Sequence, residues 1–388
     1  MRVAIITENF LPKLDGVTRT LVRLLEHLQT RGHQALLLGP ERGMDRYAGA
    51  EVIGTAGLPF PFYPELKFNF FRPLFIRRLN EFDPDIIHLV DPVILGTTGL
   101  AAGQFLHKPI VSSYHTNLAA YCEHFGFSLL TRPMWSYNRF IHNQCSLTFC
   151  PSPSTAAMLR LQGFEHLRIW PRGVDTTYFH PGRKNTSVRD SWLQGRKQPA
   201  HKAVILYVGR VSWEKNLNLL VQAYQAMHHE QCHLVIVGDG PAHTEMQQKL
   251  AGLPVTFTGY LTGEALASAY ASADLFAFPS YTETFGQVVL EAMASGLPVV
   301  GLFSEGVCDL VDDGKTGLLL NSQGLTEEEK VAAYHADLAR LVYDHQLRQQ
   351  MSHAALAEAQ KHSWDEAMEK LVQGYQEAIE AARVLVVA

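Results

Sequence analysis

The chain has 388 residues, 47% of them hydrophobic and 18% charged, too many for one comfortable core and enough for two packed globular domains. Its net charge of -5 argues against an overall basic, nucleic-acid-binding protein. No run of about 18 apolar residues reads as a membrane span, and five scattered cysteines without a Cys-x-x-Cys pair read as free thiols of a reducing, cytoplasmic compartment.

Met1–Glu8 carries an apolar run too short for a signal peptide and reads as a first strand, Val3–Thr7. Val17–Thr30 reads as a helix with Leu21, Leu24, Leu25 and Leu28 on one face, stopped by Gly32. Asp15-Gly16-Val17 closes the loop between them, where the backbone at Gly16 can approach a diphosphate. Gln34–Leu38, Asp85–Val90, Pro109–Ser113 and Leu147–Cys150 read as further strands of the same sheet. Residues 60–78 pack seven aromatics with four basic side chains; a membrane interface and a loop buried in the first domain both fit that composition. Asp83-Pro84-Asp85 resembles an Asp-x-Asp metal motif but precedes a strand, the wrong end of a sheet for a ligand, and reads as a turn. Ser112–Asn117 follows a strand, which makes His115 a candidate contact for a sugar or a leaving group.

The stretch 179–202, rich in Pro, Gly, Arg, Lys and Ser, reads as an interdomain linker. A second strand-helix series follows: strands at Ala203–Val208, His233–Val237, Val255–Phe257 and Leu275–Phe278, with helices at about 216–229, 241–251 and 263–272. After its first strand come Gly209, Arg210 and, five residues on, Lys215. Two cations there suit a diphosphate that gains charge as a glycosidic bond breaks. Val235–Pro241 is another strand-to-helix turn with glycines, but it is not a Gly-x-Gly-x-x-Gly fingerprint and none follows the first strand either, which disfavours a dinucleotide-dependent dehydrogenase. Gly259-Tyr260, at a strand end, fits a base contact and a simple turn equally well.

Ser280–Val300 is the most informative run. It joins Glu283 and Glu291, eight positions apart, through Gly286 at the start of a helix that ends at Ser295-Gly296, before a strand at Val299–Val300. A helix N-terminus is a ready anion site, and two carboxylates beside it suit a ligand with both phosphate and hydroxyl groups. Asp312-Asp313-Gly314 reads as a turn, and residues 327–382 read as helical with a break at Ser363-Trp364.

Taken together, these segments resemble the retaining glycosyltransferases of family four, which adopt the GT-B fold. The Glu-x7-Glu element sits at Glu283 and Glu291 with Phe285-Gly286 inside it, and the Gly-Arg…Lys element at Gly209, Arg210 and Lys215. Thr7-Glu8, Phe82–His88 and Arg172-Gly173-Val174-Asp175 keep the family's order. The resemblance implies that Arg210 and Lys215 hold the donor diphosphate, Glu291 the ribose and Glu283 the transferred sugar. It implies further that backbone N–H groups around Phe285, Gly286 and Gln287 contact sugar and phosphate, and that His115 lies near the reacting sugar. His115-Thr116-Asn117, Trp170–Asp175 and Ser304–Val307 look similar to GDP-mannose-dependent α-mannosyltransferases acting on glycolipids, and to sulfolipid synthases. Phe303–Val307 departs from the family's glycine-rich segment at that point.

The expected fold is therefore α/β: a first Rossmann-like, acceptor-binding domain over 1–178, a linker over 179–202, and a nucleotide-sugar-binding domain over 203–362. The two domains are expected to face a cleft, with a helix over 363–388 crossing back to the first. The expected activity is retaining, metal-independent transfer of a hexose, mannose before others, to a lipid or glycan acceptor at the cytosolic membrane face. No cofactor and no nucleic acid are expected; the nucleotide sugar is a substrate, GDP-mannose or alternatively a UDP-sugar. A sulfoquinovosyl or glucosyl transferase, a nucleotide-sugar epimerase or hydrolase, and a non-catalytic sugar-binding protein are the alternatives.

Overall fold

The computed structural model describes every residue except 12–15, 42, 61–62, 70–71, 125, 194–201 and 388; for 58–60, 63–69, 121, 123–124 and 385–387 it describes the backbone alone. Two units divide the chain: Met1–Arg172 with Trp364–Ala388, and Gly173–Ser363.

The first unit runs β1 (Arg2–Thr7), α1 (Gly16–Thr30), β2 (Gln34–Pro40), β3 (Arg46–Tyr47), β4 (Ala50–Thr55), β5 (Gly57–Phe60) and β6 (Tyr63–Asn69). It continues through α2 (Pro73–Phe82), β7 (Ile86–Val90), α3 (Ile94–Phe105), β8 (Ile110–Ser113), α4 (Leu118–His124) and α5 (Ser128–Asn143). Then come β9 (Leu147–Cys150), α6 (Pro153–Leu161) and β10 (Leu167–Ile169). The sheet order is β10-β9-β8-β7-β1-β2-β4-β3, parallel except at β3, while β5 and β6 pair separately. Strands buried on both faces show no alternation: Ala4–Ile6 is wholly apolar, and Ile86–Val90 is apolar but for the buried His88. On α1 the four leucines anticipated from spacing are fully buried.

The second unit holds α7 (Thr186–Leu193), β11 (Ala203–Val208), α8 (Leu217–Gln225), β12 (Cys232–Val237), α9 (His243–Lys249) and β13 (Val255–Gly259). It is completed by α10 (Gly263–Ser272), β14 (Leu275–Phe278), α11 (Gln287–Ala294), β15 (Val299–Leu302), β16 (Gly317–Leu320), α12 (Glu327–Tyr343) and α13 (His345–Ala359). Its sheet, β13-β12-β11-β14-β15-β16, is parallel throughout. Both sheets place the first strand beside a non-consecutive neighbour, β7 or β14, and ligands of doubly wound sheets bind outside the carboxyl ends at that switch point.

The stretch 179–202 differs from a linker. Its described residues form a 3-10 turn, Pro181–Arg183, and α7, with Phe179, Trp192 and Leu193 in the second unit's core and Arg189 bound to Asp274 at 2.7 Å. Three apolar anchors dispersed among polar residues bury without making a visible period. The chain passes between units at Arg172/Gly173 and again at Ser363/Trp364. The last helix, α14 (Trp364–Val387), joins the first unit, where Met368, Leu371, Val372 and Tyr375 pack with Val3, Leu21 and Trp170. An additional stop at Asp344, whose carboxylate caps Leu347 N–H, separates α12 from α13.

Asp83 and Asp85 do form a turn: Asp83 ends α2 with a left-handed φ and pairs with Lys108, and Asp85 accepts from Arg2 N–H. Most of the aromatic and basic side chains in 60–78 lie outside the described residues. Phe75 of that stretch is buried.

Candidate active site

In the second unit, the carboxyl edges of β11 and β14 bring the predicted residues together. Gly209 leaves β11 with its N–H bonded to Val237 O at 3.0 Å. Arg210 follows, exposed, and its carbonyl accepts from the buried Tyr207 hydroxyl at 2.9 Å. A 3-10 turn, Trp213–Lys215, then presents Lys215, held below by Asn216, whose side chain donates to Pro279 O after β14. Asn216 thereby ties the two loops to each other.

Lys215 Nζ lies 2.7 Å from Glu283 Oε1, with 18% and 22% of the side chains exposed. The buried Ser280 hydroxyl donates to the same oxygen at 3.0 Å. Burial pushes the Glu283 carboxyl up, but the Lys215 ammonium and the hydrogen bonds from Lys215 and Ser280 outweigh it and hold the carboxyl below its ordinary value. Glu283 is thus an ionised acceptor, and Lys215 a charged donor that a diphosphate can compete for.

Gly286, at φ +90°, caps α11 in the left-handed region that favours glycine. The leading N–H groups of the helix then face the loop rather than helical carbonyls. Phe285 is buried in the core, and Gln287 anchors the first turn by donating from Nε2 to Gly173 O at 3.0 Å. Glu291, one turn on, is buried, and Tyr270 of α10 donates to its Oε2 at 3.1 Å. The two glutamates therefore occupy different environments, one in an ion pair at the loop and one against a buried phenol. After β15, Gly306 packs so closely on Phe285 that a Cβ there would lie 2.6 Å from its nitrogen. Neighbouring Glu305 has its carboxyl pushed up by burial and by Asp309. The Gly259 carbonyl accepts from Gly238 N–H at 2.8 Å, and the Tyr260 ring beside it is exposed.

His115 and Gly16 belong to the first unit. Gly16 begins α1, exposed, and its carbonyl accepts from Thr20; Asp15 lies outside the described residues. His115 follows β8, half-buried, with Asp91 at the end of β7 accepting from its N–H at 3.3 Å. Both ring nitrogens are engaged, Nε2 with Ser113 Oγ at 2.8 Å and Nδ1 with Arg172 at 3.0 Å. Burial, then Arg172, His88 and His142, hold the imidazole well below its ordinary pKa, so it is neutral.

Sequence reasoning missed Ser280, Tyr270, Tyr207 and Asp91. Ser280 stood within the informative run, three residues before the glutamate it serves. Tyr270 carried no signal, because it reaches Glu291 through the fold; Tyr207 bonds the Arg210 carbonyl only three residues on, but a buried strand tyrosine looks like core.

The description "Glycosyltransferase Family 4" matches residues 14–178, and "Glycosyl transferases group 1" matches residues 202–342. A GDP-mannose-dependent alpha-mannosyltransferase of Mycolicibacterium smegmatis is 36% identical over 391 residues, covering 99% of each chain. Sulfoquinovosyl transferase SQD2 of Arabidopsis thaliana is 34% identical over 92% of this chain and 70% of its own. Among solved structures, a sucrose-phosphate synthase from Thermosynechococcus elongatus superposes with a TM-score of 0.78 at 21% identity, over 98% of this chain and 99% of that one, and shares the GT-B fold. No helix among the described residues is long and apolar enough to cross a membrane. With its two doubly wound sheets and matches of this extent, the chain belongs to the family-four glycosyltransferases of GT-B fold.

Proposed function

We propose that the protein transfers mannose from GDP-mannose to a lipid acceptor with retention of configuration and without a metal ion. The observation that carries the reading is the Lys215–Glu283 pair at the β11/β14 switch point, beside Arg210 and the start of α11. Arg210 and Lys215 bind the diphosphate and supply the positive charge that its departure requires. Glu283 binds the transferred sugar, Glu291 the ribose, and N–H groups at Phe285–Gln287 the sugar and phosphate. Gly16 and Gly209 approach the diphosphate by backbone, Tyr260 lies toward the base, and His115 contacts the reacting sugar. Retention follows if the leaving phosphate accepts the acceptor's proton on the face it departs from. The relative named as GDP-mannose-dependent supports the donor; the second reading, a sulfoquinovosyl transferase for which we take a UDP-sugar as donor, draws on the relative named sulfoquinovosyl transferase.

The lipid acceptor draws support from α5. Leu129 (92% exposed) and Phe140 (62%) share its outward face with Arg132, Pro133 and Arg139, while Asn138, Ile141 and His142 face inward. Between Glu123 and Glu165 the chain has no carboxylate side chain. An apolar, basic face with no acidic neighbour in sequence suits the anionic surface of a bilayer. The test is transfer from GDP-mannose and from UDP-sugars to extracted lipid in excess chelator, with the anomeric configuration read by NMR. Transfer from a UDP-sugar alone, loss of transfer on chelation, or an inverted product would each overturn the corresponding part.

A further inference from the structure

Behind His115 a run of hydrogen bonds crosses the first unit to its last helix. Arg172 Nη2 donates to His115 Nδ1 at 3.0 Å, and His115 Nε2 lies 2.8 Å from Ser113 Oγ. Ser113 Oγ lies 2.8 Å from His88 Nε2, and His88 Nδ1 lies 2.6 Å from Tyr375 Oη on α14. A guanidinium has donors only, so its contact leaves Nδ1 of His115 bare and places the ring proton on Nε2. That N–H donates to Ser113 Oγ. The single Ser113 proton then passes to His88 Nε2, which puts the His88 proton on Nδ1, donating to Tyr375. Turning His88 round would aim two N–H groups at Ser113 and leave the hydroxyl proton without an acceptor in the run. One end therefore sets the direction of every link.

The surroundings agree with neutral rings. His88 is fully buried and held to about 3 by burial and then by Arg172. The Arg172 guanidinium stacks on Trp170 at 4.4 Å, and the Trp170 ring lies edge-on to His115 at 5.6 Å. Among the described residues, Asp91, which accepts from the N–H groups of His115 and Thr116, and His142 also face His115.

We propose that Arg172, Ser113, His88 and Tyr375 are positioning residues that lock His115 in the Nε2–H tautomer and one ring orientation, with both ring nitrogens held by the protein, so that it meets the sugar as a fixed neutral surface rather than as an acid or base. This rests on the reading of His115 as a sugar contact. The experiment is NMR of the full chain with 15N-labelled histidine, from pH 5 to 8, in wild type, Ser113→Ala, Tyr375→Phe and Arg172→Lys, with transfer measured alongside. Wild-type His115 should show one protonated and one bare nitrogen without titrating. Ser113→Ala should give mixed tautomers and a kcat lower by up to about 100-fold at little-changed KM. Tyr375→Phe should disturb the His88 resonances and then those of His115, whereas Arg172→Lys, still a donor, should keep the tautomer. A wild-type Nδ1–H tautomer, which requires no variant to fold, or an unchanged spectrum in Ser113→Ala, would overturn the relay. Full activity of His115→Ala with the wild-type tautomer as assigned would instead overturn the sugar-contact reading alone.

Discussion

Replacing Lys215 by alanine removes the ammonium 2.7 Å from Glu283 and leaves the carboxylate with the Ser280 hydroxyl. Breaking a buried pair costs about 3–5 kcal/mol, and an exposed pair contributes about 0–1. With about four-fifths of each side chain covered, and Ser280 still bonded, the expected loss is about 2 kcal/mol at neutral pH. For a unit of this size that lowers Tm by about 4–8 °C. The pH dependence has a definite sign. In the wild type the depressed Glu283 carboxyl stabilises the fold above its ordinary value of 4.5, and that contribution is lost as pH falls through the lower folded value. Without Lys215, burial becomes the dominant influence and raises the carboxyl, so the variant is destabilised at neutral pH and relieved as pH falls through that raised folded value toward 4.5. The gap between the two proteins should therefore be widest near pH 7 and close in acid. Thermal melts at low salt across pH 3.5 to 7 measure it, and calorimetry with a nucleoside diphosphate should show affinity weaker by about 1.5–3 kcal/mol. A gap that stays constant with pH, or wild-type nucleotide affinity, would refute the dual role of Lys215.

Glu283→Ala should abolish transfer while nucleoside-diphosphate affinity, followed by calorimetry, stays within a few-fold of wild type; unchanged turnover would end the sugar-binding role. Tyr270→Phe removes the hydroxyl that donates to buried Glu291 and should cost about 1–2 kcal/mol in chemical denaturation. Gly306→Ala sets a methyl group against the Phe285 backbone at a positive φ and should cost more than about 2 kcal/mol, whereas Gly314→Ala, at φ +76° with nothing within 4 Å, should cost about 1; equal losses would show that Phe285 moves aside freely. Replacing Leu129, Leu130 and Phe140 by serine should reduce co-sedimentation with anionic vesicles and leave the melt unchanged, and undiminished binding would remove α5 from the membrane reading.

Much of this protein was legible before any coordinate. The strand at Ala203–Val208, the strand at Leu275–Phe278 and the four leucines of α1 follow from local periodicity, because burial on one or both faces writes itself into neighbouring residues. So does the Glu283–Gly286–Glu291 run, since a loop, a cap and a helix are consecutive in the chain. Short segments with mixed composition were less legible: β3 and β10 have too few residues to show a period, and α7 hides its anchors among polar side chains.

The sequence by itself determined the two doubly wound series, the helix cap at Gly286 and the identity of the charged residues at the carboxyl edges. Only the tertiary structure decided which of those residues meet. It set Lys215 against Glu283, 68 positions away, gave Glu291 to Tyr270, and seated α14 in the first unit's core, where Tyr375 reaches His88. Residue type and spacing constrain what lies within a turn or two of the chain. A partner across the sheet edge is chosen by strand order and packing, which no local pattern encodes.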